Sequence, residues 1–383
     1  MNPDIALGGN TEQELTTEPL PAPDSHAASI LLVQPDTTRL DGIGTRPSPH
    51  QDLNGDGITD AARVGVTGME VPDRIPRLSG LKTKQAAAEE RFARMYESDP
   101  DGLARQLRDQ MAKGSIGDAP HIFATDEAKR MSPDFHPADA GKKALRKARS
   151  RTNIAVHQTA NALAKRALLQ HLDEAIADDP ETVHQVLVTA GGCGAGKGRC
   201  IAAVPQVEQL SQHATAVWDS AGEQCGTELP WLLEACKQRG CHMTVAYIDR
   251  DADDAWRNRV IGRGEKNGRM VDARLFADSY AIGARNMQAF IDCHQDDPDL
   301  DILLLDGNSD QPMPISHIPQ RSLHQDPGQL ARRCAEHLIA VEPSKPILEA
   351  GYQTGERIWG PLIDGKEGHA AAVDSDQDFA ALS

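Results

Sequence analysis

A glycine-rich loop that directly follows a short apolar run is the feature that most constrains this fold. The run is Val-Leu-Val at 186–188, and the loop reads Gly-Gly-Cys-Gly-Ala-Gly-Lys at 191–197. This is the phosphate-loop pattern G-x-x-x-x-G-K, except that Gly198 stands where a Ser or Thr is expected. Glycines let successive backbone amides turn toward phosphate oxygens, and the lysine adds a positive charge beside them. The segment predicts a strand, a loop that binds a nucleoside triphosphate, and a helix.

The overall charge restricts the partners of the chain. With 40 basic and 57 acidic residues, the chain carries a formal net charge of −17, which argues against nucleic acid or an anionic membrane surface as the main partner. An anionic ligand must then be bound by a local cluster of Arg and Lys. No apolar run approaches the roughly 20 residues that span a bilayer.

The cysteines and the N-terminal residues bear on the expected location. Seven cysteines without a C-x-x-C pair indicate reduced thiols rather than a disulfide framework, so we expect a cytoplasmic protein. The first residues lack the basic start and apolar core of a signal peptide. Residues 1–75 contain no aromatic residue and predict a disordered acidic leader. Such leaders also occur on exported bacterial effectors, so secretion without a classical signal stays open.

One short segment of the leader is similar to a calcium-binding loop. Residues 52–60 read Asp-Leu-Asn-Gly-Asp-Gly-Ile-Thr-Asp, with oxygen-bearing side chains at alternating positions. An EF-hand would carry a carboxylate at the twelfth position of the loop, where this chain has Arg63. A bound Ca²⁺ and a solvated turn both remain open for this segment.

The rest of the chain alternates between helical and strand-like patterns. Residues 80–117 and 140–178 predict helices, and the segment 122–133 between them predicts a strand or turn that leads into a capped helix. From 183 onward, apolar runs at 183–189, 214–219, 242–249 and 301–306 alternate with helical stretches, including 229–237 and 252–292. Pro205 is expected to end the helix that starts at Lys197.

This alternation predicts an α/β fold with a parallel sheet covered by helices on both faces. Four segments are expected along the chain: the leader at 1–75, a helical region at 76–180 that packs on the core, the nucleotide-binding core at 181–345, and a loose tail at 346–383.

Three of the apolar runs end in aspartate, at Asp219, Asp249 and Asp306. In an open parallel sheet, ligands bind at the carboxyl ends of the strands, so each carboxylate is a candidate for the site. The sequence favours Asp219, because it ends the first strand after the loop and begins a polar turn that includes Glu223. It favours helix capping for Asp249 and Asp306.

An excess of basic residues follows the third run. Two interpretations remain open for it: a lid whose arginines close on a phosphoryl group, or an exposed helix face paired with nearby carboxylates. The exposed face is favoured for Arg257 and Arg274, whereas Arg269 and Arg285 fit either interpretation. The cluster consists of Arg257, Arg259, Arg263, Lys266, Arg269, Arg274 and Arg285.

Several of these motifs together resemble the zeta toxin family of P-loop kinases. The resemblance rests on the loop at 191–197, Trp-Asp-Ser-Ala-Gly-Glu-Gln at 218–224, Gly-Arg-Met-Val at 268–271 and Ala-Arg-Asn-Met at 284–287, and it covers roughly 120–310. Upstream, Thr-Asp-Glu-Ala-Lys at 125–129 and Val-His-Gln-Thr-Ala-Asn at 156–161 look like the leader region of longer bacterial zeta-domain proteins. The resemblance implies a kinase that uses ATP and Mg²⁺ to phosphorylate a hydroxyl of a nucleotide sugar such as UDP-N-acetylglucosamine. Some relatives phosphorylate a ribose of NAD.

The resemblance also implies roles for individual residues. Lys197 matches the phosphate-loop lysine, Asp219 matches the base and is a candidate Mg²⁺ ligand, and Arg269 and Arg285 match arginines that contact phosphate. We expect Asp126, Glu223 and Arg263 to contact the substrate. The residues expected at the ATP phosphates are Gly191, Gly192, Cys193, Gly194, Ala195, Gly196, Lys197, Gly198 and Arg199.

Two other functions stay open. Because Gly198 lacks the hydroxyl that would ligate Mg²⁺, the chain could be a nucleotide-binding module that has lost catalysis. The acidic leader could instead dock a protein partner, such as an antitoxin or a secretion apparatus.

Overall fold

The computed structural model describes most of the chain between Val71 and Ile347. The described range is 71–347, without Ser79, Asp118, Ala221, Glu223, Gln224, Asp310, Gln311, Glu342, Lys345 and Pro346. The predicted leader up to 70, the calcium-like loop, the tail from 348 and Glu223 all lie outside the described residues. Among the helices described in this range, none has the length and apolar character that a bilayer span requires.

Six strands form one sheet, in the order β1-β3-β2-β4-β5-β6. Their bounds are β1 Ile122–Ala124, β2 Gln185–Gly191, β3 Ala216–Asp219, β4 His242–Asp249, β5 Leu300–Asp306 and β6 Met313–Ile315. β1 to β5 run parallel, which confirms the predicted parallel sheet, whereas β6 is antiparallel to β5. The sequence did not predict β6, which contains Pro314; a proline lacks the amide needed for a central strand and is tolerated at an edge.

The helices fall largely where the sequence predicted them, with more interruptions. Asp99 separates the helices Thr83–Ser98 and Pro100–Ala112. The helix that starts at Lys197 ends at Ala203, before Pro205 as expected, and Pro205 begins a further helix that was not predicted. A π-helical turn at Trp256–Val260 interrupts the arginine-rich region. The bounds are α1 Thr83–Ser98, α2 Pro100–Ala112, α3 Thr125–Ala128, α4 Lys142–Thr152, α5 His157–Asp178, α6 Lys197–Ala203, α7 Pro205–His213, α8 Cys225–Lys237, α9 Ala252–Ala255, α10 Ile261–Asn267, α11 Ala273–His294, α12 Gln320–Leu323 and α13 Pro327–Ala340.

Alternating residues of β2 are buried in two different apolar clusters. Val186 and Val188 belong to one cluster together with Leu163 of α5, whereas Leu187 belongs to another that contains Val207 of α7. Successive side chains of a strand point to opposite faces, so helices cover both faces of this sheet. Burial on both faces explains why the strands read as continuous apolar runs.

The helical region before residue 180 shares this core. Phe92 of α1, Leu107 of α2 and Leu163 of α5 lie in the same apolar cluster as Val188, and β1 forms one edge of the sheet. The four-segment division of the chain stays a prediction.

The strand order places the glycine-rich loop at a switch point of the sheet. After β2, the chain passes through α6 and α7 to β3 on one side, and β4 pairs with β2 on the other side. Ligands bind at such switch points, at the carboxyl ends of the strands. The topology therefore provides an open crevice beside residues 191–197.

Candidate functional site

The glycine-rich loop connects β2 to α6, as predicted. Gly194 and Gly196 have φ angles of 79° and 87°, a left-handed conformation that non-glycine residues rarely adopt. The amide of Cys193 donates a hydrogen bond to Oγ of Ser279 at 3.0 Å, which ties the loop to α11. Gly191, with a φ angle of 144°, also has a conformation that favours glycine, so the backbone conformation requires three of the loop glycines.

A cavity of about 460 Å³ lies beside this loop. Three parts of the chain form it: the loop with the end of β3, the segments near β1 and the start of α5, and the arginine-rich segment. The polar and loop residues that line it are Thr125, Asp126, Lys129, Asn153, His157, Cys193, Gly194, Gly196, Lys197, Gly198, Arg199, Asp219, Ser220, Arg259, Arg263 and Arg269.

Asp219 and Lys197 meet at the carboxyl end of the sheet. The register pairs Thr189 of β2 with Asp219 of β3, and the Thr189 hydroxyl donates to Oδ1 of Asp219 at 3.1 Å. Nζ of Lys197 lies 3.4 Å from the same oxygen. Burial acts to lower the pKa of Lys197, but the Asp219 carboxylate outweighs it, so that pKa is raised above the usual lysine value. Lys197 is held as a cation next to the carboxylate.

Asp126 lies at the neighbouring edge of the same crevice. Because β1 pairs with β3, Ala124 lies opposite Asp219, and α3 starts directly after it. The Asp126 carboxylate pairs with Arg269, with Nζ of Lys129 at 3.1 Å and with Arg263 at 3.5 Å. Burial acts to raise the pKa of Asp126, but these three cations hold it well below its usual range.

Lys129 is a site residue that the sequence analysis did not single out. Its side chain is 4% exposed, and its amine donates to Asp126 and to Oδ1 of Asn153 at 2.9 Å. Burial lowers the pKa of Lys129, although Asp126 opposes the shift. Burial and the charge of Lys129 lower the pKa of His157 to about 3, so this imidazole is neutral. The available signal was the Asp-x-x-Lys spacing of 126–129, which places both side chains on one helical face.

The structure separates the two arginines that the resemblance implied at the phosphates. Arg269 lines the cavity and contacts Asp126, and Arg263 lies beside it. Arg285 is not among the lining residues; its Nε donates to the carbonyl of Ala281 at 3.0 Å, one turn earlier on α11. Residues 193–199, from the loop and the start of α6, line the cavity, whereas Gly191 and Gly192 do not.

The other strand-end aspartates have structural contacts, but they do not cap the next helix as predicted. Asp249 is 3% exposed and accepts hydrogen bonds from Arg321 at 2.5 Å and Ser322 at 2.6 Å, which attach α12 to the sheet. Asp306 accepts from the amide of Asn308 at 2.9 Å within a turn. The cap of α9 is Asp251 instead, because the helix begins at Ala252, three residues beyond the end of the strand.

A buried carboxylate supports the end of β3. Glu228 of α8 is 2% exposed and accepts hydrogen bonds from the Ser220 hydroxyl at 2.6 Å, the Trp218 indole at 3.2 Å and the Asn161 amide at 2.6 Å. These contacts connect α5, α8 and the residues that flank Asp219. A single sequence gives no signal for them, because the donors come from separate elements.

Two observations concern metal binding beside the loop. Within the described residues, no group of three or more His, Cys, Asp or Glu side chains could hold a metal ion. A Cβ added to Gly198 would meet no atom within 4 Å. A serine would therefore fit where the phosphate-loop pattern expects one.

Two comparisons with known proteins find no match. No protein-family model matches this chain, and no curated protein is significantly similar to it. The described residues define the chain as an α/β protein with a mostly parallel sheet and helices on both faces.

Proposed function

We propose that this chain is an ATP-dependent kinase of the P-loop, zeta toxin-like kind, which phosphorylates a hydroxyl of a nucleotide sugar or a related nucleotide. The observation that carries the proposal is the juxtaposition of Lys197 and Asp219, 3.4 Å apart in the wall of one cavity. The first is the cation expected at the outer phosphates, and the second is the base expected at the acceptor hydroxyl. Action as a bacterial toxin or effector, a cytoplasmic location and an antitoxin or secretion partner are parts of the same proposal.

The loop and the arginines would bind the triphosphate. Residues 193–199 provide a turn with left-handed glycines, where backbone amides can approach phosphate oxygens. Lys197 adds one positive charge, and Arg259, Arg263 and Arg269 line the same cavity. Positive side chains that contact the transferring phosphoryl group stabilise the charge that develops on it.

Asp219 would act on the acceptor. Its Oδ1 is engaged by the Thr189 hydroxyl and the Lys197 amine, so Oδ2 is the oxygen assigned to the proton. The acceptor hydroxyl gives its proton to this carboxylate, its oxygen forms a bond to the γ-phosphorus, and the bond to the β-phosphate oxygen breaks to release ADP. Mg²⁺, when bound, supplies further charge neutralisation on the phosphates, and Asp219 is the residue that would hold it.

The direct test uses the full chain with γ-labelled ATP. UDP-N-acetylglucosamine, NAD and a bacterial metabolite extract serve as acceptors, and the labelled product is identified. Asp219→Asn is expected to lower turnover at least about 100-fold while ATP still binds, because the base is lost and the phosphate loop is intact. Asp134→Asn, at a carboxylate paired with Arg91, is the matched control. A wild-type chain that labels no acceptor in any of these mixtures would rule out the kinase.

A nucleotide-binding module without catalysis is the second candidate, and Gly198 favours it because the position provides no oxygen ligand for Mg²⁺. The open space at this position makes Gly198→Ser a clean test, with Gly198→Ala as the control that adds a side chain without a hydroxyl. If the chain is such a module, ATP binds the wild type equally well with and without Mg²⁺, and only the serine variant gains a dependence on the ion. Mg²⁺-dependent turnover by the wild type would exclude this candidate.

A further inference from the structure

One carboxylate occupies the cationic wall of the cavity. Asp126 pairs with Lys129, Arg263 and Arg269, so three positive side chains surround one negative one. The other cavity carboxylate, Asp219, pairs with Lys197. In a chain with a net charge of −17, this local excess of positive charge is the feature expected of a site that attracts anions.

The guanidinium groups around Asp126 still have hydrogen-bonding capacity. Nε of Arg269 is buried and has no hydrogen-bond partner within the described part of the chain. The Arg263 side chain is 46% exposed and reaches Asp126 only at 3.5 Å. Buried donors are normally satisfied, so the arginine pair is better matched to a larger anion with more acceptor oxygens than to one carboxylate.

The contacts of Asp126 also join distant parts of the chain. Asp126 follows the edge strand β1, whereas Arg263 lies on α10 and Arg269 lies between α10 and α11. These ion pairs link residues 137 and 143 positions apart in the sequence. A ligand that takes over the two arginines must therefore release the arginine-rich segment from α3.

We infer that Asp126 is a specificity-determining counter-ion, which occupies Arg263 and Arg269 until a ligand with a doubly charged phosphoryl group displaces it. A carboxylate brings one negative charge and two oxygens, whereas a terminal phosphoryl group brings about two charges and three oxygens. A singly charged ligand gains too little from the exchange to compete. The inference extends the proposed function to the selection of phosphorylated ligands, but its test needs no turnover.

The test measures the binding of inorganic pyrophosphate to the full chain. The affinity is determined by calorimetry at low ionic strength without Mg²⁺. Asp126→Asn is expected to bind pyrophosphate at least about tenfold more tightly than wild type, because no internal anion has to be displaced. Glu127→Gln is the matched control: it removes the same charge one residue away, from a side chain that pairs with Arg130. Its affinity is expected to stay within about twofold of wild type. In the double variant Asp126→Asn with Arg269→Gln, the gain should disappear.

A monoanion tests the charge requirement. Formate is expected to compete with pyrophosphate in Asp126→Asn but not in wild type, with chloride at equal ionic strength as the reference. If Asp126→Asn binds pyrophosphate no better than Glu127→Gln, or if formate competes equally in both chains, the inference is wrong.

A second variant tests the inference if Asp126→Asn does not fold. Arg269→Gln in the wild-type background is then expected to weaken pyrophosphate binding at least about tenfold, whereas Arg257→Gln, at an exposed position outside the cavity lining, is not. Equal affinities of these two variants would overturn the inference. Because ATP turnover is not measured, failure here is distinguishable from failure of the kinase proposal.

Discussion

Gly192 in the glycine-rich loop and Gly198 directly after it are expected to respond in opposite ways to alanine. A Cβ added to Gly192 would lie 2.4 Å from Cε2 of Tyr280, whereas one added to Gly198 would meet no atom within 4 Å. Tyr280 is 6% exposed and its ring packs against Phe276, with the ring centroids 4.8 Å apart, so it has little room to move. Gly192→Ala must therefore displace the loop or a buried ring.

The expected changes in melting temperature follow from this difference in the space around the two glycines. Overpacking a close-packed core costs about 1–3 kcal/mol, so Gly192→Ala is expected to lower the melting temperature by about 2–10 °C. Gly198 lies in the first turn of α6, where replacing glycine by alanine stabilises a helix by up to about 1 kcal/mol. Gly198→Ala is therefore expected to raise the melting temperature by about 1–3 °C.

Thermal unfolding measured by circular dichroism, with ATP binding measured on the same samples, checks this pair. Gly192→Ala is also expected to bind ATP more weakly, because a displaced loop moves the adjoining residues 193–199 that are proposed to hold phosphate. A double-mutant cycle with Tyr280→Leu should show that the smaller side chain relieves part of the cost. Equal melting temperatures for the two alanine variants would refute the reasoning, because the contact with Tyr280 is its only basis.

Two further predictions concern buried carboxyl groups. Burial raises the pKa of Asp272, the N-cap of α11, from 3.8 to about 7. Between these two pKa values, the folded chain keeps a proton that the unfolded chain loses. The free energy of unfolding therefore falls as the pH rises from about 4 to about 7. Asp272→Asn retains a capping oxygen without the charge. Its melting temperature should exceed that of wild type by a margin that widens from pH 5 to pH 8. A constant margin would contradict the raised pKa of Asp272. The second prediction concerns Glu228→Gln, which places an amide against three hydrogen-bond donors. It is expected to lower the free energy of unfolding in urea by about 2–4 kcal/mol. A decrease below about 1 kcal/mol would contradict this prediction.

Much of the fold could be predicted because it depends on local pattern. Strands buried on both faces must be apolar along their length, so the runs that became β2, β4 and β5 were visible, and Pro205 marked a helix boundary for reasons of covalent geometry. The edge strand β6 was not visible, because three residues that include a proline carry no strand pattern.

The site residues also differ in how far local sequence could predict their positions. Lys197 was predictable because its position in the loop is fixed by sequence neighbours alone. Lys129 lies three residues from Asp126, so their proximity is local, but its burial and its contact with Asn153 depend on the packing of separate elements. Arg269 and Arg285 looked equivalent in the sequence, but only Arg269 lines the cavity.

The sequence by itself determined the loop after β2, its glycine-rich composition and the aspartate that ends β3. The tertiary structure alone decided the strand order, which pairs Thr189 with Asp219 and brings α3 to the same crevice. The physical reason is that periodicity reports which face of an element is buried but not which element buries it. Gly192 and Gly198 show this most directly: the same residue type faces a buried ring in one place and open space in the other.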